Sequence, residues 1–471
     1  MKVKTAFGKK RAISTALIAI IVIVVIVVAA AGVYFATINS GSSSSLTSSS
    51  SFTVVSNSSP ATSSSVSASS GMGPNVTVAM TVSQSGQYGP LDAGYLYFNE
   101  AWQAGINQNG GLVDKNGEHH LVKVLTADDA SSVSTADQQY HQFAESEGAN
   151  VLVSPYSADT GLTLQPIAQT DKVPLIMAEA STASMWNGTY TWQTTDMVPY
   201  WSDSTTTAWS ASYFQMLNAT HWAKTIAFIG WDITWAIDDY NSGLWLANHT
   251  TGLTVDYQQL LAPGTTTFSE QINALKGLNP QPDIVYCAIF GPVCATLITQ
   301  ANAAGFHPKQ WHTIEWGASF ASSLQSAGVS TDNITTDVFW TPSFPSSNPG
   351  TSTFQQLITN ANQLAKQANS TGNIAPVNWY DYQNIELRMI IFQMIAQAVA
   401  NVPSANFSSP ASENSALNYA LHHESFQTIA GPLAVQSQGY GTIGLATIQW
   451  EHGDIETVYP TNVANATYVH P

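Results

Sequence analysis

The sequence predicts an α/β body of two lobes, each a parallel sheet flanked by helices, behind an N-terminal transmembrane helix and a serine-rich stalk. Three observations carry this reading. Short β-branched runs alternate with helical stretches at intervals of about 25–35 residues, the pattern of βαβ units in a parallel sheet. The rhythm restarts after Met197, which makes a second unit of similar size. Residues 16–36 carry no charge, and about 20 apolar residues at helical rise cross a bilayer core.

Lys2, Lys4, Lys9, Lys10 and Arg11 precede that apolar run, and such clusters stay on the cytoplasmic side. Residues 1–15 are read as a cytoplasmic tail, 16–36 as a single-pass anchor in the cell membrane, and the rest as extracellular, without access to cytosolic ATP or NAD. The competing reading is a signal peptide cleaved near alanines 29–31. Its apolar region would be only about 7–15 residues long, whereas this run continues past those alanines. Residues 37–74 are dominated by serine and form a linker that cannot bury enough apolar surface to offset its chain entropy. Asn-x-Ser/Thr sequons begin at Asn57, Asn75, Asn187, Asn218, Asn248, Asn333, Asn369, Asn406 and Asn465, candidate glycan sites on an exterior protein.

Within the body, residues 76–82 read as a strand and 91–108 as a helix ended by Gly110 and Gly111. Strand 121–125, helix 134–147, strand 151–153, helix 160–170 and strand 173–177 follow. The second set comprises helix 200–217, strand 225–229, helix 237–247, strand 253–257, helix 268–278, strand 283–288 and helix 293–304. Helices at 353–368, 380–402 and 413–422 then return to the first unit. Lobe 1 is assigned residues 75–196 and 342–433, and lobe 2 residues 197–341 and 434–471. Chain crossings are expected near 195–197, 339–342 and 433–436.

Composition narrows the function. Charged residues are 9% of the chain, against about 25% in typical soluble domains. With 13 basic and 30 acidic residues, no nucleic-acid partner is expected, since phosphate neutralisation needs clustered Lys and Arg. So few charges suit an acidic medium, where carboxyls are neutral and little repulsion remains. Cys287 and Cys294 are the only cysteines, without zinc-site spacing, and are expected to be buried thiols. No G-x-S-x-G, Walker, H-E-x-x-H or C-x-x-C pattern occurs. The pairs His119–His120 and His422–His423 lack the i, i+4 spacing of a helical metal pair and are read as surface residues. Asp128–Asp129 and Asp238–Asp239 are possible carboxylate dyads, although capping is the commoner role of Asp128–Asp129 just before a helix.

Ligands of open parallel sheets bind outside the carboxyl ends of the strands. Those ends are residues 83–89 (SQSGQYG), 154–160 (SPYSADT), 178–182 (AEAST), 230–235 (GWDITW), 289–294 (IFGPVC) and 315–319 (EWGAS). Ser157 and Ser181 combine hydroxyls with unpaired N–H groups near helix starts, which favours an anion such as a carboxylate. Ordinary N-capping is the competing role.

With these residues in view, the chain resembles the Leu/Ile/Val-type (branched-chain amino acid) substrate-binding proteins of ABC importers. The resemblance runs from about residue 76 to 460 through QYG (87–89), GINQNGGL (105–112), DDASS (128–132), the Ser157 loop, VPLI (173–176), AGPL (430–433) and TVYP (457–460). It implies the type I periplasmic binding fold, no enzyme activity, no cofactor, no metal, and an ABC permease as partner in the same membrane. It also implies that Ser157 and the turn Glu179, Ala180 and Ser181 hold a carboxylate, and that Glu315 holds an ammonium. Trp235 and Phe290 would cover the ligand, and Tyr88 would form part of the wall.

Glu179 stands where the family usually has a small residue, and Trp235 and Phe290 where tyrosines are common. The ligand is therefore left open among a branched-chain or other apolar amino acid, an amide or urea, and a short peptide. A ligand-sensing ectodomain and an extracellular hydrolase are the other readings.

Overall fold

The structure, a computed structural model, describes residues 72–86, 88–156, 158–178, 181–314, 318–368, 385–407 and 414–471. The anchor and most of the stalk expected from the sequence lie outside these residues. No helix among the described residues is long and apolar enough to cross a membrane.

The chain enters through β1 (Val76–Thr81), α1 (Gly89–Asp92), α2 (Gly94–Gln108), the hairpin β2 (Leu112–Val113) and β3 (His119–His120), and β4 (Val122–Ala127). It continues through α3 (Val133–Glu145), β5 (Val151–Val153), α4 (Ala158–Asp171), β6 (Leu175–Met177) and β7 (Gln193–Thr195). These strands form a parallel sheet in the order β4-β1-β5-β6-β7. Side chains alternate across a strand, so Val76, Val78 and Met80 enter one hydrophobic cluster while Ala79 enters another. Helices therefore cover both faces.

The second unit runs α5 (Ala211–Thr220), β8 (Thr225–Trp231), α6 (Thr234–Leu246), β9 (Thr254–Leu261), α7 (Ser269–Gly277) and β10 (Ile284–Ala288). It is completed by α8 (Gly291–Ala303), β11 (Gln310–Thr313), α9 (Ala318–Ser326) and β12 (Ile334–Val338). The chain then crosses back into α10 (Thr351–Ala368), α11 (Ile385–Val399), α12 (Asn414–His423) and the hairpin β13 (Ser425–Thr428) and β14 (Gly431–Ala434). On α10, Phe354, Leu357, Ala361 and Ala365 are buried at three- and four-residue steps, the stripe that packs the helix against α2. Finally β15 (Ala446–Glu451) adds antiparallel to β12 and β16 (Asp454–Tyr459) antiparallel to β15, giving the order β16-β15-β12-β11-β10-β8-β9.

Two crossings lie side by side. Thr195 N–H donates to the Gly439 carbonyl (2.9 Å), and Gly441 N–H donates to the Met197 carbonyl (3.0 Å). A Cβ on Gly441 would stand 2.2 Å from the Asp196 carbonyl oxygen, so only glycine allows this approach.

Four expectations are corrected. The helix expected from residue 200 begins only at Ala211. Between them, Ser202 Oγ accepts from Ser204 N–H, and Ser204 Oγ accepts from the N–H groups of Thr206 and Thr207, all at 3.2 Å. Hydroxyls that bond the local backbone compete with a helix. The helix expected over 380–402 ends at Val399, and its first residues lie outside the described ones. Cys287 and Cys294 are buried, but they are joined in a disulfide rather than free. The turn from β10 into α8 folds back and brings their Cα atoms to 6.5 Å, inside bridging range. His120 is fully buried, because the hairpin turns its ring inward against Phe407, 4.8 Å between centroids.

Candidate functional site

The loop after β1 is held by the two aspartates that follow β4. Asp129 Oδ1 accepts from Ser83 Oγ (2.6 Å) and Oδ2 from Thr81 Oγ1 (2.6 Å). Asp128 accepts from Gln84 N–H (2.9 Å) and Ser85 Oγ (3.0 Å). Helix α3 is capped instead by Ser132, which accepts from Thr135 N–H. The pair is therefore neither a catalytic dyad nor primarily a cap; it tethers the loop. Ser131 completes the tether: its Oγ donates to the Ser85 carbonyl (2.8 Å) and accepts from Tyr88 N–H (3.0 Å). Tyr88 is thereby set against Tyr156, with ring centroids 5.5 Å apart.

The ends of β5 and β6 are pinned together by Ser154 Oγ, which accepts from Ala178 N–H (2.8 Å) and donates to its carbonyl (3.1 Å). Beyond β6, Ser181 is fully buried. Its Oγ accepts from Trp186 Nε1 (3.1 Å), and its carbonyl accepts from Tyr200 N–H (2.9 Å). Ser157, Glu179, Ala180 and Glu315 lie outside the described residues.

Lobe 2 reaches this surface through the first turns of α6 and α8. Trp235 is half-buried, packs against both hydrophobic clusters, one of which is built of buried lobe 1 residues alone, and lies 6.4 Å from the Tyr200 ring. One turn later, Asp238 Oδ2 accepts from Ala183 N–H of lobe 1 at 2.8 Å. Burial pushes the Asp238 carboxyl up, against the lowering effect of that hydrogen bond. Phe290, half-buried at the start of α8, stacks at 6.5 Å with Trp231. Trp235 thus meets lobe 1 across the strand ends, while Phe290 is seen on the lobe 2 wall. The sequence reading missed Tyr156, Tyr200 and Asp238 as wall residues. Asp238 was legible in principle, three residues after Trp235 on the same helix face.

Beneath the lobe 1 strand ends lies a buried layer of ionisable groups. Burial pushes Asp92 up to about 7, and Asp196 and Glu386 up to about 8. Arg388, 1% exposed, stands 4.6 Å over the Tyr95 ring, and its charge draws the Asp92 value down. The acidic and histidine clusters that could hold a metal, among the described residues, lie elsewhere, at Asp114, Glu118 and His120 and at His141, Glu145 and Asp171. A groove of about 440 Å³ between α2, α10 and α11, lined by Trp102, Leu357 and Phe392, is also remote from the strand ends.

A parallel sheet and a largely parallel sheet, each packed with helices, linked by crossings and meeting near their strand ends, define a bilobed binding protein. The periplasmic binding protein family matches residues 75–380, and the chain belongs to that family. Its fold is the type I periplasmic binding fold. No curated protein matches the sequence.

Among solved structures, an ABC transporter substrate-binding protein from Aeropyrum pernix is 18% identical with a TM-score of 0.63. That alignment covers 83% of this chain and 97% of that one. The branched-chain amino acid binding protein LivJ of Streptococcus pneumoniae, solved with isoleucine, is 13% identical (TM-score 0.60, 82% and 100% covered). A solute-binding protein of R. palustris, solved with benzoate, is 17% identical (TM-score 0.58, 82% and 95% covered).

Proposed function

We propose that this protein is the extracellular receptor of an ABC importer, held by its N-terminal anchor, which captures an apolar amino acid between its lobes and delivers it to a permease. The observation that carries the reading is the meeting of the lobe 1 segment after β6, which holds Ser181 and Ala183, with α6 of lobe 2, where Asp238 accepts from Ala183 N–H and Trp235 lies beside Tyr200. Hydroxyl and N–H donors suit a carboxylate, and aromatic rings suit an apolar body. Isoleucine and benzoate, the ligands of two structural neighbours, share that pairing of carboxylate and apolar group. The Cys287–Cys294 disulfide supports an oxidising, extracellular location, where sequons would carry glycans.

In this assignment Ser157, Glu179, Ala180 and Ser181 face the carboxylate and Glu315 the ammonium. Tyr88, Trp235 and Phe290 enclose the side chain. A hydrolase finds less support. Ser210, His312 and Asp337 do approach, at 3.4 Å and 3.5 Å, but both contacts fall on His312 Nε2. All three are also buried in the lobe 2 core. A triad needs the two ring nitrogens to face different partners.

The deciding experiment is a thermal-shift screen of amino acids, aromatic carboxylates, amides and short peptides, followed by calorimetry. An amino acid at a hundredfold excess over Kd raises stability by about 2.7 kcal/mol. Stabilisation by amides alone would overturn the amino-acid assignment, and turnover of any compound would favour the hydrolase.

A further inference from the structure

The β2–β3 hairpin gathers three side chains that the ligand site does not use. Asp114, Glu118 and His120 each present a donor atom, all within 4.8 Å of one another. Asp114 is 5% exposed and His120 0%, while Glu118 is half-buried. Asp114 Oδ1 is engaged by the turn, accepting from the N–H groups of Asn116 and Glu118 at 2.8 Å each. Among the described residues, Asp114 Oδ2 has no hydrogen bond. His120 Nδ1 lies 2.7 Å from the Pro74 carbonyl, which only accepts, so Nδ1 carries the ring proton. In the neutral ring, Nε2 is then a bare lone pair. It too has no hydrogen bond, and it stands 3.7 Å from Asp114 Oδ2.

Two buried acceptors aimed at one point are unfavourable unless something positive lies between them. A second proton on His120 would make an ion pair, but 3.7 Å is beyond hydrogen-bond reach. We propose that Asp114, Glu118 and His120 bind a divalent transition-metal cation of the zinc class, as a structural site that ties the hairpin to the start of the body. Tetrahedral bonds of about 2.0–2.2 Å place donor atoms roughly 3.3–3.6 Å apart, close to the 3.7 Å between His120 Nε2 and Asp114 Oδ2, with the Glu118 donor within 4.8 Å of both. Mixed imidazole and carboxylate donors suit zinc, and a backbone carbonyl on the far ring nitrogen is the outer bond that orients a ligating histidine. Glu118 is half-buried, and water would supply the fourth ligand.

The surroundings press the chain onto this point. Gly73 N–H donates to the His119 carbonyl (2.8 Å), and Lys115 N–H to that of Val402 (3.1 Å). A Cβ on Gly73 would meet His120 Cε1 at 2.4 Å and Glu118 Cδ at 3.0 Å. The cation would join the first residues of the body, the hairpin and the segment after α11. His141, Glu145 and Asp171 make a contrasting cluster, with His141 49% and Glu145 63% exposed, an ordinary surface ion pair.

The test strips the full-length protein with a chelator and titrates it with Zn²⁺ by calorimetry, with Co²⁺ absorption as a second reading. One tight equivalent is expected, together with a rise in melting temperature. Outer-shell partners alone change metal affinity about 10–100-fold, so His120→Gln and Glu118→Gln should each weaken binding at least about 100-fold. His141→Gln should change nothing. Should His120→Gln fail to fold, the partly exposed Glu118→Gln and the wild-type Co²⁺ spectrum decide. No tight equivalent in the wild type overturns the site and leaves the ion pair; so does metal binding that survives Glu118→Gln or is abolished by His141→Gln.

Discussion

Ala183 N–H in lobe 1 and Asp238 Oδ2 in lobe 2 are 2.8 Å apart, a hydrogen bond that spans the two lobes. Any hinge opening at this edge must break it. Asp238→Ala removes the acceptor from a half-buried site, at a cost of about 1 kcal/mol, or roughly fivefold in ligand affinity. Calorimetry should show that loss, and small-angle scattering should show a more open ligand-free form. Unchanged affinity and shape would mean that the bond does not help hold the lobes together.

The buried carboxyls set a pH dependence whose sign is clear. Asp92 is raised to about 7 and Asp196 and Glu386 to about 8, in each case chiefly by burial. Unfolded, such groups titrate near 4. Between about pH 4 and 8 the native state therefore binds more protons, so stability is greatest in acid and falls as pH rises. The slope is up to about 1.4 kcal/mol per pH unit for each titrating group. Melting temperature should be higher at pH 5 than at pH 8, and Asp196→Asn should flatten the profile. This agrees with a chain only 9% charged that suits an acidic medium.

The Cys287–Cys294 bridge closes a short loop, with a separation of 7 residues, and the chain-entropy estimate of its contribution is roughly 2–3 kcal/mol. Cys287→Ser with Cys294→Ser should lower stability by that order and loosen the turn that carries Phe290. Thiol labelling of the unreduced, unfolded protein should find no free cysteine.

If the ligand is an α-amino acid, Glu315→Gln removes the partner of its ammonium. The expected loss is about 2–5 kcal/mol, some 30- to 5,000-fold in affinity. Amides and carboxylates without an ammonium should bind as before. Glu179→Ala separates a repulsive bystander, which would improve binding when removed, from a contact, which would weaken it. Equal amino-acid affinity in Glu315→Gln would refute the assignment.

Much of the sheet-and-helix order was legible because β1, β5, β8 and β10 are apolar runs bounded by helical periodicity. Strand β7 was not, because Gln193, Thr194 and Thr195 are polar yet nearly fully buried. Tertiary partners make that possible: Thr195 Oγ1 donates to the Met177 carbonyl and Thr194 Oγ1 to that of Gly439. The Ser131–Tyr88 contact joins residues 43 positions apart, and no local pattern announces such a pairing. The inward turn of His120 was hidden for the same reason: its partner carbonyl belongs to Pro74.

The antiparallel addition of the β15–β16 hairpin beside β12 bears on how the chain is made. On the ribosome, the open side of β12 waits for strands that begin more than a hundred residues later. At about 5–20 residues per second that delay is several seconds or more. Meanwhile an unpaired strand edge stands exposed, a ready template for association with other chains. Lobe 2 thus matures only when β15 and β16 emerge, and a chain stopped after α12 is a candidate for chaperone capture and degradation rather than a smaller working binding protein.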